Sequence, residues 1–290
     1  MKHRTIIAMI FAIAVTVALQ LLMVAGAAAQ RAERGAVRTD TRILYQGGPV
    51  MVATSNVYFV WYGNWTARQG TVDLLTDFAT SYGGSPYAAI LTTYPNASGT
   101  IPSGGLVYGG SVGDLYSHGP TLSAADVEDV LSDVIDSGAL PLDTRGIYLL
   151  LTSPDVHFEG FCSERCQYHN YFEFMGAYAK YGVVGNPDRC PTSCAAQFPT
   201  GSDSPNADRA GDAMVSWMAH VLNETITNPL GTAWYDRYGL ENSDKCVGLF
   251  GQTYTTPSGA RANMRLSGRD YLIQQNWVND RKGRCALSYP

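Results

Sequence analysis

The first 161 residues of this 290-residue chain contain no cysteine. A disulfide framework is therefore excluded from the N-terminal half, and all six cysteines (Cys162, Cys166, Cys190, Cys194, Cys246 and Cys285) fall in the rest. Charge is scarce as well: 16% of residues are Asp, Glu, Lys or Arg, with 20 basic residues against 25 acidic ones. A formal net charge of −5 leaves no basic footprint of the kind that nucleic-acid binding requires. Walker loops, dinucleotide glycine fingerprints and G-x-S-x-G elbows are all missing, and with them the usual signals for nucleotide binding and serine hydrolysis. Beyond Val24 no apolar run is long enough to span a bilayer.

One long apolar run does exist, at the start. Lys2 and Arg4 precede the stretch Ile6 to Val24, and "GAAAQ" then offers small residues for cleavage near Ala29. That order predicts a secretory signal peptide over residues 1–29. An uncleaved membrane anchor competes, but no basic stop-transfer cluster follows. Cleavage removes two basic residues and no acidic one, taking the net charge from −5 to about −7. We therefore expect a secreted protein with no membrane attachment once the signal is cut.

In an exported chain an even cysteine count reads as disulfides. Cys162/Cys166 and Cys190/Cys194 each enclose three residues, which suggests two local loops and leaves Cys246 with Cys285. Six cysteines allow fifteen connectivities, and spacing does not select one. A cysteine zinc site is the alternative, weakened by oxidation competing with thiolate ligation.

Residues 30–48 are polar without periodicity and read as a loose arm, with one domain over 49–290. "NVYFVWYGNW" and "GIYLLLTS" have the β-branched, aromatic and apolar content of buried strands. "YAAILTTY", "GLVYGGSV" and "FMGAYAKYGVVGN" also read as strands. "TVDLLTDFATSYG" and "TLSAADVEDVLSDVIDSGAL", the latter N-capped by Ser123, carry apolar residues at helical spacing. "NADRAGDAMVSWMAHVLNETITNP" is the most helical segment of the second half, and from Cys246 onward the chain is Gly-rich and irregular.

That last helix carries the chemistry. His220 and Glu224 lie four apart, on one helical face, where both can reach one ion. Imidazole and carboxylate are ordinary zinc ligands. Downstream, "GLENSDKC" offers Glu241 and Asp244 in a loop that Cys246 would tie down. The pattern differs from the metalloprotease motif H-E-x-x-H at one place: Val221 stands where the water-activating Glu belongs. Alone, H-x-x-x-E is a weak signal, and a solvated pair on a helix face is the bland reading. His169 and Glu173 share the same spacing, but alternation around them suggests a strand; His169 and His157 read as structural histidines, and His118 as a solvated turn residue. Sequons occur at Asn64, Asn96 and Asn223, the last unused because it lies on the metal helix.

Several segments together, "VYFVWYGNW", "GIYLLLTSPDVHFEGFCSERCQYH", "VVGNPDRCPTSCA", "ITNP" and "DKCVGLFGQTY", resemble the EXORDIUM / phosphate-induced protein 1 family. The resemblance runs in order from about Asn56 to Cys285, and it implies an extracellular or cell-wall protein. The metal helix also resembles that of secreted microbial relatives reading H-E-L-A-E-x-x-T-D/N-P, with a later E-x-x-D-x-C. On that pattern His220, Glu224, Glu241, Asp244 and Cys246 keep their places, Val221 replaces the catalytic Glu, and Asn223 replaces an Ala. The resemblance implies a zincin-type metal site without its general base.

The expectation is thus an α/β (α+β) protein. It has a single mixed sheet with packed helices, zincin-like, and an irregular disulfide-tied C-terminal part. Zinc is expected at His220 and Glu224, completed by Glu241 or Asp244, with no catalytic residue and an extracellular peptide or cell-wall component as partner. Two rivals stand beside it: an active zinc metallopeptidase whose base comes from elsewhere, such as Glu173, and a metal-free structural module.

Overall fold

A computed structural model describes residues 42–199 and 203–290. The signal-peptide expectation for residues 1–29 and most of the expected arm lie outside the described residues. Five strands form the main sheet: β1 (Ser55–Tyr62), β2 (Leu106–Asp114), β3 (Gly146–Thr152), β4 (Gln167–Phe174) and β5 (Ala177–Val184). Their spatial order is β2-β1-β3-β5-β4; the first four are mutually parallel, and β4 runs antiparallel at the edge. The class is mixed α/β, as expected.

Every residue of β3 is buried, because helices cover both faces of the sheet. Val57, Phe59 and Trp61 of β1 face one layer with Ile147, Leu149 and Leu151 of β3. That layer holds α1 (Gln69–Tyr82) and α3 (Arg209–Thr227), with Leu75, Phe78, Met214 and Met218 in its core. Tyr58, Val60 and Tyr62 alternate with them onto the opposite face, beside Val127, Val130 and Leu131 of α2 (Ala124–Asp136). A near-continuous apolar strand is what two-sided cover demands. Ser123 caps α2 as expected, in a capping box with Asp126. Asn228 ends α3, and Pro229 follows it. Among the described residues no helix is long and apolar enough to cross a membrane.

Three expectations need correction. "YAAILTTY" is a 3-10 helix over Ala88–Thr93, not a strand. Tyr87, Ala88, Ile90, Leu91 and Tyr94 are all fully buried, a recurrence near three that turns each toward the core. A short apolar run does not distinguish the two conformations by itself. Next, residues 42–48 are tied down: Ile43 is 2% exposed, and Leu44–Tyr45 pairs antiparallel with Trp234–Tyr235.

The third correction concerns the disulfides. The bonds are Cys162–Cys190, Cys166–Cys194 and Cys246–Cys285. Only the last matches the expected pairing; the two local loops do not form. The reason is the β4–β5 hairpin, which pairs Gln167 with Val184 and so returns the chain to where it left. The segment before β4 then lies beside the segment after β5, where Gly185 N–H donates to the Cys166 carbonyl (3.1 Å). The two cysteine pairs face each other across that root. The C-terminal part is built from three short two-stranded ribbons and is tied by Cys246–Cys285, in keeping with the irregular region expected.

Candidate metal centre

Helix α3 is almost wholly buried, so its polar side chains must find partners inside the protein. His220 and Glu224 lie one turn apart on it, with the His220 Nε2 2.8 Å from the Glu224 Oε1. The loop after α3 brings in two more carboxylates. Asp244 Oδ1 is 3.5 Å from His220 Nε2, and the Asp244 N–H donates to Glu224 Oε1 (3.2 Å). Glu241 Oε1 accepts from Asn228 Nδ2 at the helix end (2.7 Å). Two anchors hold this loop: the Cys246–Cys285 bond and a buried Lys245–Asp236 ion pair of 3.3 Å.

Strand β4 supplies a residue that sequence reasoning took as structural. His169 Nε2 lies 2.8 Å from Glu241 Oε2 and 4.0 Å from Glu224 Oε2. All four expected ligands therefore meet, and His169 joins them. Two sets result, His220/Glu224/Asp244 and His169/Glu224/Glu241, each offering three ligand atoms within 4.8 Å of one another. The remaining described histidines and Glu173 lie elsewhere. Glu173, four residues along β4, is exposed and roughly 13 Å away at strand rise, so it is no base for this site. His157 sits half-buried in a short parallel pairing with Thr121, and His118 is 3.4 Å from Asp133. Asn223 is fully buried and donates to the Tyr87 hydroxyl (3.1 Å), so its sequon is inaccessible.

The donor atoms are set up for a cation. Gln274 Nε2 donates to the Ser243 carbonyl (3.0 Å), which leaves its Oε1 to accept from His220 Nδ1 (3.2 Å). The Nδ1 therefore carries the hydrogen, and Nε2 faces the carboxylates. That Nε2 is buried, and although Glu224 Oε1 stands 2.8 Å away, neither carboxylate is aligned with it as in an ordinary hydrogen bond. A partner on the far nitrogen that fixes the tautomer is the usual support of a metal-bound imidazole. Two imidazoles and three carboxylates form an N/O donor set that could hold a divalent metal ion.

The electrostatics agree. Burial alone would lower the His220 pKa, but the Glu224 and Asp244 carboxylates outweigh it and hold it well above the usual imidazole range. His169 is raised in the same way against burial, by Glu241 and Glu224. Burial and the neighbouring Asp244 push the Glu224 carboxyl up to about 7, against the pull of His220. A buried cluster of this kind demands positive charge, from protons or from an ion.

Val221, the residue in the place of a water-activating Glu, is fully buried. It faces Gly182 of β5 so closely that a Cβ on Gly182 would lie 2.2 Å from its Cγ1. No acid occupies that position.

Comparison with known proteins places the chain. The region described as "Phosphate-induced protein 1 conserved region" matches residues 43–286. EXORDIUM-like 3 of Arabidopsis thaliana is 32% identical over 273 residues, covering 81% of this chain and 80% of that protein. EXORDIUM-like 5 of the same plant is 31% identical over 270 residues (80% and 74%), and PHOSPHATE-INDUCED 1 of Nicotiana tabacum 28% over 268 residues (79% and 83%). No solved structure matches the chain. With the match spanning the main sheet, helices α1, α2 and α3 and the gathered His and acid residues, the chain belongs to the phosphate-induced protein 1 family, whose members include the EXORDIUM-like proteins.

Proposed function

We propose that this is a secreted, extracellular member of its family that holds one zinc ion at His220, Glu224 and Asp244 and performs no peptide hydrolysis. The observation that carries the metal is the buried His220 Nε2, which faces the Glu224 and Asp244 carboxylates within 3.5 Å without hydrogen-bond alignment while its ring is fixed from behind by Gln274. Glu241 and His169 lie beside that triad and complete its charge environment. Zinc bound there would act as a Lewis acid. This chain's own residues hold it, orient it and seal the site, while Val221 offers no group to take a proton from water.

In this reading α3 is the metal helix of a zincin-like architecture that has lost its base, and the site recognises an extracellular peptide or a cell-wall component. Secretion rests on the signal-like start of the sequence and on three disulfides with no free cysteine. The test is metal analysis of the protein as purified from a secreting host, beside His220→Ala. About one zinc per native chain and none in the variant supports the assignment. Native protein that carries no metal and takes up none from added zinc overturns it.

A second reading has one observation in its favour. His169 and Glu241 form a hydrogen-bonded pair, and His169 Nε2 lies 4.0 Å from Glu224 Oε2, so an active hydrolase could draw its base from them rather than from position 221. Cleavage of unfolded protein by native chain but not by His220→Ala decides for that reading.

A further inference from the structure

A cavity of about 390 Å³ lies apart from the metal cluster, near the end of α3. Its lining is mostly apolar and includes Val50, Val52, Pro229 and Leu230. The 50–52 segment is held by its backbone. The Met51 N–H donates to the Ile226 carbonyl in the last turn of α3 (2.9 Å), and the Val52 carbonyl accepts from Ser103 (2.9 Å). The cavity is therefore formed before anything enters it, and its volume falls in the range of small-molecule sites.

Two cations line this apolar space, Lys180 and Arg145. Lys180 belongs to β5 and is 6% exposed. Its Nζ donates to the Thr144 carbonyl, and no described Asp or Glu comes within ion-pair distance of it. The nearby Asp143 is already committed: its carboxylate accepts from Asn56 Nδ2 (2.6 Å), the Tyr58 hydroxyl (3.0 Å) and the Arg145 N–H (2.8 Å). Buried charges in proteins are normally paired. Here no described carboxylate pairs with it, and the cavity that Lys180 lines is mostly apolar. Burial lowers the Lys180 pKa, with Asp143 opposing, as expected for an ammonium awaiting a counter-ion. Arg145 is exposed and makes no side-chain ion pair among the described residues, so its guanidinium is free to close over the mouth.

We propose that this cavity binds an amphipathic organic monocarboxylate. Lys180 serves as counter-ion to the carboxylate, Arg145 is a second contact at the rim, and the hydrocarbon body lies between Val52 and Leu230. One interior ammonium matches one negative charge, and a chain or ring of carbon matches the walls. None of the candidate metal ligands lines the cavity, so the proposal stands independently of the zinc assignment.

The test titrates the purified full chain calorimetrically with octanoate and with octanamide, its uncharged counterpart. Octanoate should bind at least tenfold more tightly than octanamide, a difference of about 1.4 kcal/mol. Lys180→Met should abolish that preference, Arg145→Gln should weaken it severalfold, and Leu230→Trp, which fills the cavity from its rim, should block both probes. Prior treatment with a chelator should leave octanoate binding unchanged. Equal binding of the two probes, binding of neither, or an octanoate preference that survives Lys180→Met overturns the proposal. If Lys180→Met does not fold, full octanoate affinity in Leu230→Trp overturns it alone.

Discussion

Gly182 of β5 and Val221 of α3 touch so closely that no side chain fits between strand and helix at that point. A Cβ on Gly182 would stand 2.2 Å from Val221 Cγ1 and 3.1 Å from Leu149 Cδ2. Position 221 is thereby a packing position. Gly182→Ala should destabilise the protein by about 1–3 kcal/mol through overpacking. Adding Val221→Ala should return part of that loss, giving a coupling energy that a denaturant-based double-mutant cycle reads directly.

The same contact decides what Val221→Glu does. Restoring the H-E-x-x-E lettering would bury a carboxylate against Gly182, so we expect a loss of several kcal/mol and no gain of peptidase activity. Hydrolysis of unfolded protein by that variant, above a His220→Ala control, would show that the helix can turn position 221 toward the ion.

Gln274 makes a second test of the metal centre. Its Oε1 holds the His220 ring from the Nδ1 side, while the carboxylates face Nε2. Gln274→Leu should reduce zinc affinity roughly 10–100-fold while leaving the stoichiometry at saturation unchanged. Competition with a calibrated chelator measures it, and unchanged affinity would remove Gln274 from the site.

Zinc occupancy should fall on acidification. Binding needs His220 unprotonated and Glu224 ionised, and the folded protein holds the His220 pKa high and that of Glu224 near 7. Protons therefore compete with the ion already near neutral pH, and more strongly as the pH falls and Glu224 also takes one. Dialysis at pH 5 should strip metal that survives at pH 8, read as zinc per chain.

Asp212, in the first turn of α3, gives a pH effect with no metal involved. Burial pushes its carboxyl up to about 6, against hydrogen bonds donated by Asn206 N–H (2.9 Å) and Asn206 Nδ2 (2.6 Å). The raised pKa means that its contribution to stability is complete below the unfolded value near 4. That contribution is lost as pH rises through 6. Asp212→Asn should therefore compare better with native protein at pH 7.5 than at pH 4, by up to about 2–3 kcal/mol. A pH-independent difference would refute the buried ionisation.

Non-reducing peptide mapping should find Cys162 joined to Cys190 and Cys166 to Cys194. Removing either bond as a paired Ser substitution should cost about 2–4 kcal/mol. Peptides linking Cys162 to Cys166 would restore the local-loop pairing.

Local signals were legible and long-range ones were not. Ser123, the stop at Asn228-Pro229 and the shared face of His220 and Glu224 all follow from spacing within one helix, and each stands where the spacing puts it. Glu241 and Asp244 were legible because the cysteine that anchors their loop is two residues beyond Asp244. His169 was not, since its role depends on edge strand β4 lying against α3, and nothing in "CQYHNYFE" encodes that neighbour. The crossed disulfides failed for the same reason: the hairpin that aligns the two segments spans 28 residues of separation. Lys180 looked like an ordinary strand residue, because a missing counter-ion has no sequence signature.

The two bonds at the root of the β4–β5 hairpin also set where this edge can fray. An outer strand is bonded on one side only, and thermal opening begins wherever it is least held. Here the least-held end is the turn at Met175–Gly176, where Met175 is 68% exposed. His169 sits three residues from Cys166, at the riveted end. Peeling from the tip would release Phe174, Glu173 and Phe172 before it reached the histidine. The strand that carries His169 can thus breathe at one end while the cluster at the other stays assembled.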